Sequence, residues 1–437
     1  MLTAEPTTAA APRAPKTLHE AGLNKDLITQ LVLKILHLSG ELTGTELSRR
    51  LGLPFFAFEP VLADIKAQHH CEVAGGALGS PSYRYRITDA GRSRAMLFME
   101  HNHYVGRAPV PLSQYTAYMH RFKQSAKRHV DRISVRKAFS HLVINDRVLD
   151  QLGPAINAGH SMFVYGPPGN GKTVISQAIH NLLEGSLYIP HALEVEGSII
   201  SFFDPVNHEP LPEQNMREGM DLSDDYDRRW VLCRRPQVMV GGELSLDQLE
   251  LSYNPTMGFY RAPVQAVANG GILVIDDFGR QTCSPRDLLN RWIVPLESRV
   301  DFLALQTGQK FDFPFMTLMV FATNIKPQDL VDEAFLRRIH YKIFAESPSR
   351  AEFFEIFENC CRENGIEYRA EVVENLLVGY YRPRQIQLRG CHPRDLINQA
   401  VYLAEYLGQP AALTPEVMEL ACASYFVDDR ESAPSYA

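Results

Sequence analysis

The chain has 437 residues, 45% of them hydrophobic and 10% aromatic, with a formal net charge of −7; it is a folded protein too long for one core, so two or three domains are expected. No apolar run approaches the roughly 18 residues of a membrane-crossing helix, the longest, "FMTLMVFA" and "GGILVI", reading as core strands, so membrane insertion is not expected. Seven cysteines without a C-x-x-C pair support neither a zinc site nor a disulfide framework, and point to a reduced, cytoplasmic protein.

Residues 1–19, rich in Ala, Pro and Thr, read as a disordered lead without a signal-peptide stretch, and 428–437 as a disordered tail. In "NKDLITQLVLKILHLSG", Leu27, Leu31, Ile35 and Leu38 fall at helical spacing. "TGTELSRRLGL" follows with Thr43 and Glu46 at capping-box spacing. A third helix, "PFFAFEPVLADIKAQHH", and a hairpin, "CEVAGGALGSPSYRYRITDAGR", complete residues 20–100. This succession resembles a winged-helix domain. Such domains commonly bind DNA, but residues 54–68 carry Phe55, Phe56, Phe58, Glu59 and Asp64 against a single Lys66. A groove-reading helix needs basic and amide side chains, so a protein partner or adaptor is the expected target of 20–100, with DNA as the alternative.

Residues 101–140 hold eight basic side chains and one acidic. The stretch 101–137 reads as a basic linker helix; Arg121, Lys123, Lys127, Arg128, Arg132, Arg136 and Lys137 either meet DNA, together with Arg84 and Arg86, or form a solvated face on the acidic body. The latter is preferred.

"MFVYGPPGNGKTVISQAIHNLL" predicts a strand from Met162 to Tyr165, a glycine turn and a helix. The loop Gly166, Pro167, Pro168, Gly169, Asn170, Gly171, Lys172 and Thr173 matches G-x-x-x-x-G-K-[ST]. Its glycines let backbone N–H groups surround phosphates, with the helix dipole behind them. Lys172 is placed to reach the β- and γ-phosphates and Thr173 to ligate Mg2+. Later, "GGILVIDDFGRQ" puts Asp276 and Asp277 at the end of an apolar strand. Asp276 is the expected second metal ligand and Asp277 the group that orients water; a carboxylate merely marking where a strand meets solvent is the alternative for each.

These motifs, with those that follow, resemble an AAA+ ATPase over about residues 138–425. The resemblance implies that Asn324, at the tip of "TLMVFATN" beside Thr323, helps position the attacking water. It implies that Arg338, with Arg337 as neighbour, is the arginine finger in "DEAFLRRIHYKIF", and that Arg394 in "CHPRDLINQAV" points from a helical lid to the γ-phosphate. The implied architecture is α/β: a P-loop core with a parallel sheet between helices over 138–347, an insertion around 205–260 and a lid over 348–427. No [NT]-K-x-D motif occurs, which favours ATP. The family implies a ring, a hexamer by expectation, acting on a protein substrate. "SRVDFLALQTGQKFDFPF" alternates about a turn and reads as a β-hairpin, similar to the pre-sensor-1 hairpin of the branch containing MoxR ATPases. Trp230, Phe259 and Tyr260 read either as pore aromatics or, more simply, as core of the insertion. One departure bears on rate: the second acidic residue is Asp277, where most AAA+ proteins carry Glu.

Overall fold

Helix Lys25–Ser39 starts where Asn24 caps it, its side-chain oxygen accepting from Leu27 N at 2.7 Å, and stops at Gly40, whose φ is 77°. The computed structural model containing it describes residues 10–76, 80–125, 130–183, 185–212 and 226–426. The chain divides into two compact units: Met1–Arg128 with Leu183–Val274 and Gln281–Met319, and His129–Leu182 with Ile275–Arg280 and Val320–Ala437.

In the first unit the opening helix buries Ile28, Leu31, Val32 and Ile35, while Leu38, expected on the same stripe, is 61% exposed. Thr43 and Glu46 form the capping box that starts helix Gly44–Leu51, and helix Phe55–Ala67 follows. Strands Glu41–Thr43, Arg84–Ile87 and Cys71–Gly75 form an antiparallel sheet in that order. Phe58, Leu62 and Ile65 from the third helix close the core over this sheet.

The basic connector carries an apolar stripe besides its charges. Helix Leu112–Ser125 buries Tyr115, Tyr118, Met119 and Phe122, spaced i, i+3, i+4 and i+7, so the helix expected here also supplies core, while Arg121 and Lys123 stay exposed. Tyr115 packs on Phe313 with ring centroids 5.5 Å apart, and Tyr118 on Trp230 at 4.9 Å. Strands Ala192–Val195 and Ser198–Ser201, which precede the insertion, and Ser252–Asn254 and Phe259–Arg261, at its end, join Val110–Pro111 in one five-stranded sheet. Trp230 and Tyr260 are buried in the core, which fits the simpler of their two readings, while Phe259 is half-buried and packs edge-on against Tyr104. Val300–Ala304 and Lys310–Pro314 pair as an antiparallel hairpin, Val300 opposite Pro314.

A buried arginine fastens these pieces together. Arg229, 1% exposed, forms an ion pair with Asp227 at 2.7 Å. It also donates to the carbonyls of Ala21 and Pro109 at 2.9 and 3.2 Å and to Gln114 Oε1 at 3.2 Å. Residues 20–100, the connector and the insertion therefore share one body.

The second unit is α/β. Strand β1 (Met162–Tyr165) is followed by helix α1 (Lys172–Leu182). Strands β2 (Ile272–Ile275), β3 (Leu318–Thr323) and β4 (Tyr341–Phe344) come later in the chain. In this unit β1 lies between β3 and β4, and both run parallel to it. Buried Phe163, Phe278 and Phe321 fill the layer beneath it, Phe163 and Phe321 at 5.3 Å. Helices α2 (Arg350–Glu363) and α3 (Cys391–Leu407) belong to a helical layer with its own core, in which Phe353, Phe357, Leu396 and Ile397 are fully buried. Among the described residues no helix is long and apolar enough to cross a membrane.

Candidate functional site

At the C-terminal end of β1 the chain turns through Gly166, Gly169 and Gly171, with φ of 150°, 80° and 72°. Two of these glycines are required by space as well as by angle. A Cβ on Gly166 would stand 2.4 Å from the carbonyl oxygen of Ala345, and one on Gly169 2.4 Å from Cys391 Sγ. The turn delivers Lys172 and Thr173 to the first turn of α1. Lys172 Nζ donates to the carbonyls of Gly166 and Pro167 at 3.0 and 2.8 Å. Burial lowers its pKa, Asp277 and Asp276 oppose that shift, and the Arg389 charge adds to it.

The two aspartates follow β2 directly. Thr173 Oγ1 donates to Asp276 Oδ2 at 2.8 Å, and Asp276 Oδ1 accepts from the Asp277 amide at 3.0 Å. Asp277 sits in the left-handed region with φ of 47°, a conformation aspartate tolerates better than most residues. Its carboxylate accepts from Asn324 Nδ2 at 3.2 Å. The turn is pinned to the tip of β3 twice: Phe278 N donates to Ala322 O at 2.7 Å, and Thr323 Oγ1 to Phe278 O at 2.6 Å. Thr323, noted in the sequence only as Asn324's neighbour, is thus the residue that locks the aspartate turn against the strand carrying Asn324.

The helical layer closes on the loop through its backbone. Cys391 N donates to Gly169 O at 2.8 Å, and Gly390 N to Asn170 Oδ1 at 3.3 Å. Between loop and helices lies a cavity of about 570 Å3, walled by Pro168–Thr173, Asp276, Asp277 and Asn324, by residues 141–144, and by Ile356, Cys360 and Arg394. Arg394 Nε and Nη2 both donate to Asp395 Oδ1, at 3.0 and 2.9 Å, and Asp395 Oδ2 accepts from Tyr425 at 2.9 Å. Arg337 and Arg338 close helix Glu333–Leu336 just before β4; Arg337 is exposed and Arg338 half-buried, and neither lines the cavity.

Three features escaped the sequence reading. Residues 141–144 carry no motif. Cys391 was passed over inside "CHPRDL". Arg389, whose side chain lies 3.6 Å from a Cβ placed on Gly169, stands just before the helix from which Arg394 was chosen.

A family model described as a domain of unknown function, DUF8689, matches residues 349–424. No curated protein matches the chain. Among solved structures it is similar to the RuvB Holliday-junction branch-migration motor of Thermotoga maritima, at 14% identity over 65% of this chain and 70% of that one, with a TM-score of 0.37. It is also similar to NtrX from Brucella abortus in complex with ADP, at 12% identity over 80% and 68% of the two chains, with a TM-score of 0.40.

Proposed function

We propose that the chain is an ATP-hydrolysing AAA+ ATPase that works as a hexameric ring and remodels a protein substrate recruited through residues 20–100. The observation that carries the ATPase reading is the 2.8 Å bond between Thr173 Oγ1 and Asp276 Oδ2. A hydroxyl on the first turn of α1 and a carboxylate at the end of β2, 103 residues apart, meet beside a glycine loop that ends in a lysine. These are hard oxygen donors of the kind Mg2+ takes, with phosphate and water completing its shell. Bound there, Mg2+ supplies charge neutralisation at the β- and γ-phosphates.

The chain's own residues then have separate tasks. Backbone N–H groups of Gly169, Asn170 and Gly171 and the N-terminus of α1 receive phosphate oxygens. Lys172 exchanges its two carbonyl partners for the β- and γ-phosphates. Asp277, held by Asn324, orients the attacking water and accepts its proton. Arg394 leaves Asp395 to meet the γ-phosphate, and Arg338 of a neighbouring subunit meets the developing charge. The Cys391–Gly169 and Gly390–Asn170 bonds support a coupling of the loop to the helical layer, so that hydrolysis moves the lid.

Protein recruitment is preferred to DNA for a specific reason. The wing arginines already have an acidic partner: Arg84 and Arg86 reach Glu41 at 3.3 and 2.8 Å. In the basic run, Arg132 pairs with Asp150 and Arg136 with Asp146, each at 2.7 Å; Lys127 and Arg128 lie outside the described residues. Phe56, by contrast, is 58% exposed on the third helix. Steeply salt-dependent duplex binding by the full chain would restore the DNA-associated alternative.

Lys172→Ala is expected to lose the thermal stabilisation that saturating ATP gives the native chain, about 2.7 kcal/mol at a hundredfold excess over Kd. An unchanged ATP shift would remove the P-loop assignment. Asp277→Asn separates an enzyme from an ATP-gated scaffold. It should keep ATP binding while Mg2+-dependent phosphate release falls about 10²–10⁴-fold, the usual share of a positioned base. Absence of turnover in the native chain would favour the scaffold, since Asp277 is one methylene shorter than the usual Glu.

A further inference from the structure

A second cavity, about 780 Å3, lies wholly within the first unit. Helix Lys25–Ser39, the chain at His101 and Asn102, the Glu194–Ile199 turn and the tip of the 300–314 hairpin wall it. Lys34 stands at its floor, 1% exposed. Its ammonium donates to the carbonyl of Asn102, and among the described residues it has no carboxylate within 4.0 Å. Burial alone brings its pKa down to about 8, so at neutral pH it is still largely protonated. A buried ammonium costs several kcal/mol unless an opposite charge meets it.

Two carboxylates, Asp26 and Glu194, line the same cavity. Neither has a cationic side chain within 4.0 Å among the described residues, and Glu194 commits only Oε1, to the Gly197 amide at 2.7 Å. His101, the other titratable nitrogen base in the lining, is held through Nδ1 by Leu97 O at 3.0 Å. Residues of both charge signs thus line one space, and among the described residues Lys34, Asp26 and Glu194 have no side chain of opposite charge within 4.0 Å. The lining contains no arginine, and its two carboxylates oppose a phosphate dianion.

We propose that this cavity binds a zwitterion, an amino acid or a short peptide, with its carboxylate on Lys34 and its ammonium on Glu194 and Asp26. The site is independent of the nucleotide cavity. Nothing in its recognition requires ATP.

The test is thermal unfolding of the full chain with the free amino acids, with the matching carboxylic acids lacking the amine and amines lacking the carboxylate, and with tripeptides bearing free or amidated C-termini. Ionic strength is fixed and inorganic phosphate is the control. At least one amino acid or tripeptide is expected to give a saturable shift, its single-charge relatives binding at least tenfold more weakly. Lys34→Met removes an unpaired charge at similar volume, so it should fold, and it should weaken binding at least tenfold. Glu194→Gln, on a partly exposed residue, keeps the bond to Gly197 and should abolish the preference for the zwitterion over the bare acid. The same shift should persist in Lys172→Ala, which distinguishes this site from the nucleotide site. A free amino acid binding tightest marks a metabolite sensor; a tripeptide weakened by amidation marks a chain-terminus reader. The proposal fails if no zwitterion gives a saturable shift, if phosphate competes equally well, or if Lys34→Met leaves binding unchanged.

Discussion

Arg338→Ala is expected to bind ATP as tightly as the native chain and to lose about 10³–10⁵-fold in turnover, roughly 4–7 kcal/mol of transition-state stabilisation. The expectation rests on where Arg338 does not go. It follows Arg337, the C-cap of the short helix before β4, and is absent from the cavity walled by Lys172, Thr173, Asp276 and Asn324. A guanidinium that acts on the γ-phosphate from that position reaches the site of another subunit, and a permanent charge on a planar fork suits such a contact. Head-to-tail contacts that close give a ring. Mixing Arg338→Ala with Lys172→Ala, each inactive alone, should therefore restore activity, because some interfaces then join an intact loop to an intact finger. A mixture whose subunits exchange yet which stays inactive would mean that Arg338 acts within its own chain or that the ring needs every site intact. Arg337→Ala in the same mixing experiment then shows whether the neighbouring arginine holds the role.

The proposed nucleotide site was legible because its parts are local. The glycine loop, Lys172 and Thr173 occupy eight consecutive positions, and Asp276 and Asp277 announce themselves as charges at the end of an apolar strand. What the sequence could not display is how such segments meet. The bond from Cys391 to Gly169 joins residues more than 200 positions apart, and no periodicity encodes it. Arg394 faces Asp395, its immediate neighbour, a pairing invisible to a reading that asked only which arginine begins a lid helix. The connector is a different case. Its charge pattern marks a solvated face, which Arg121 and Lys123 form, but the opposite stripe of Tyr115, Tyr118, Met119 and Phe122 makes it part of the core. The period was the better guide there, because long basic side chains decorate a helix without deciding which face it buries.

Arg229 was unreadable for the strongest version of that reason: its acceptors lie at Ala21, Pro109, Gln114 and Asp227. Arg229→Met is expected to destabilise the first unit by about 3–5 kcal/mol, because it leaves the Asp227 carboxylate, 3% exposed, without its cation. At about 2–4 °C per kcal/mol for a body of this size, the midpoint should fall by roughly 6–20 °C. Both tryptophans, Trp230 and Trp292, lie in this unit, so their fluorescence reports its unfolding. Arg229→Lys should be nearly as damaging, since an ammonium cannot span acceptors that five guanidinium donors reach. Removing Asp227 as well, as Arg229→Met with Asp227→Leu, should recover part of the loss by eliminating the buried unpaired charge. ATP-dependent stabilisation should survive in all three, because no residue of the clamp belongs to the nucleotide cavity. If Arg229→Met leaves the tryptophan transition where it was, the clamp does not hold residues 20–100 in place, and that segment is then a separable module whose deletion leaves the rest folded.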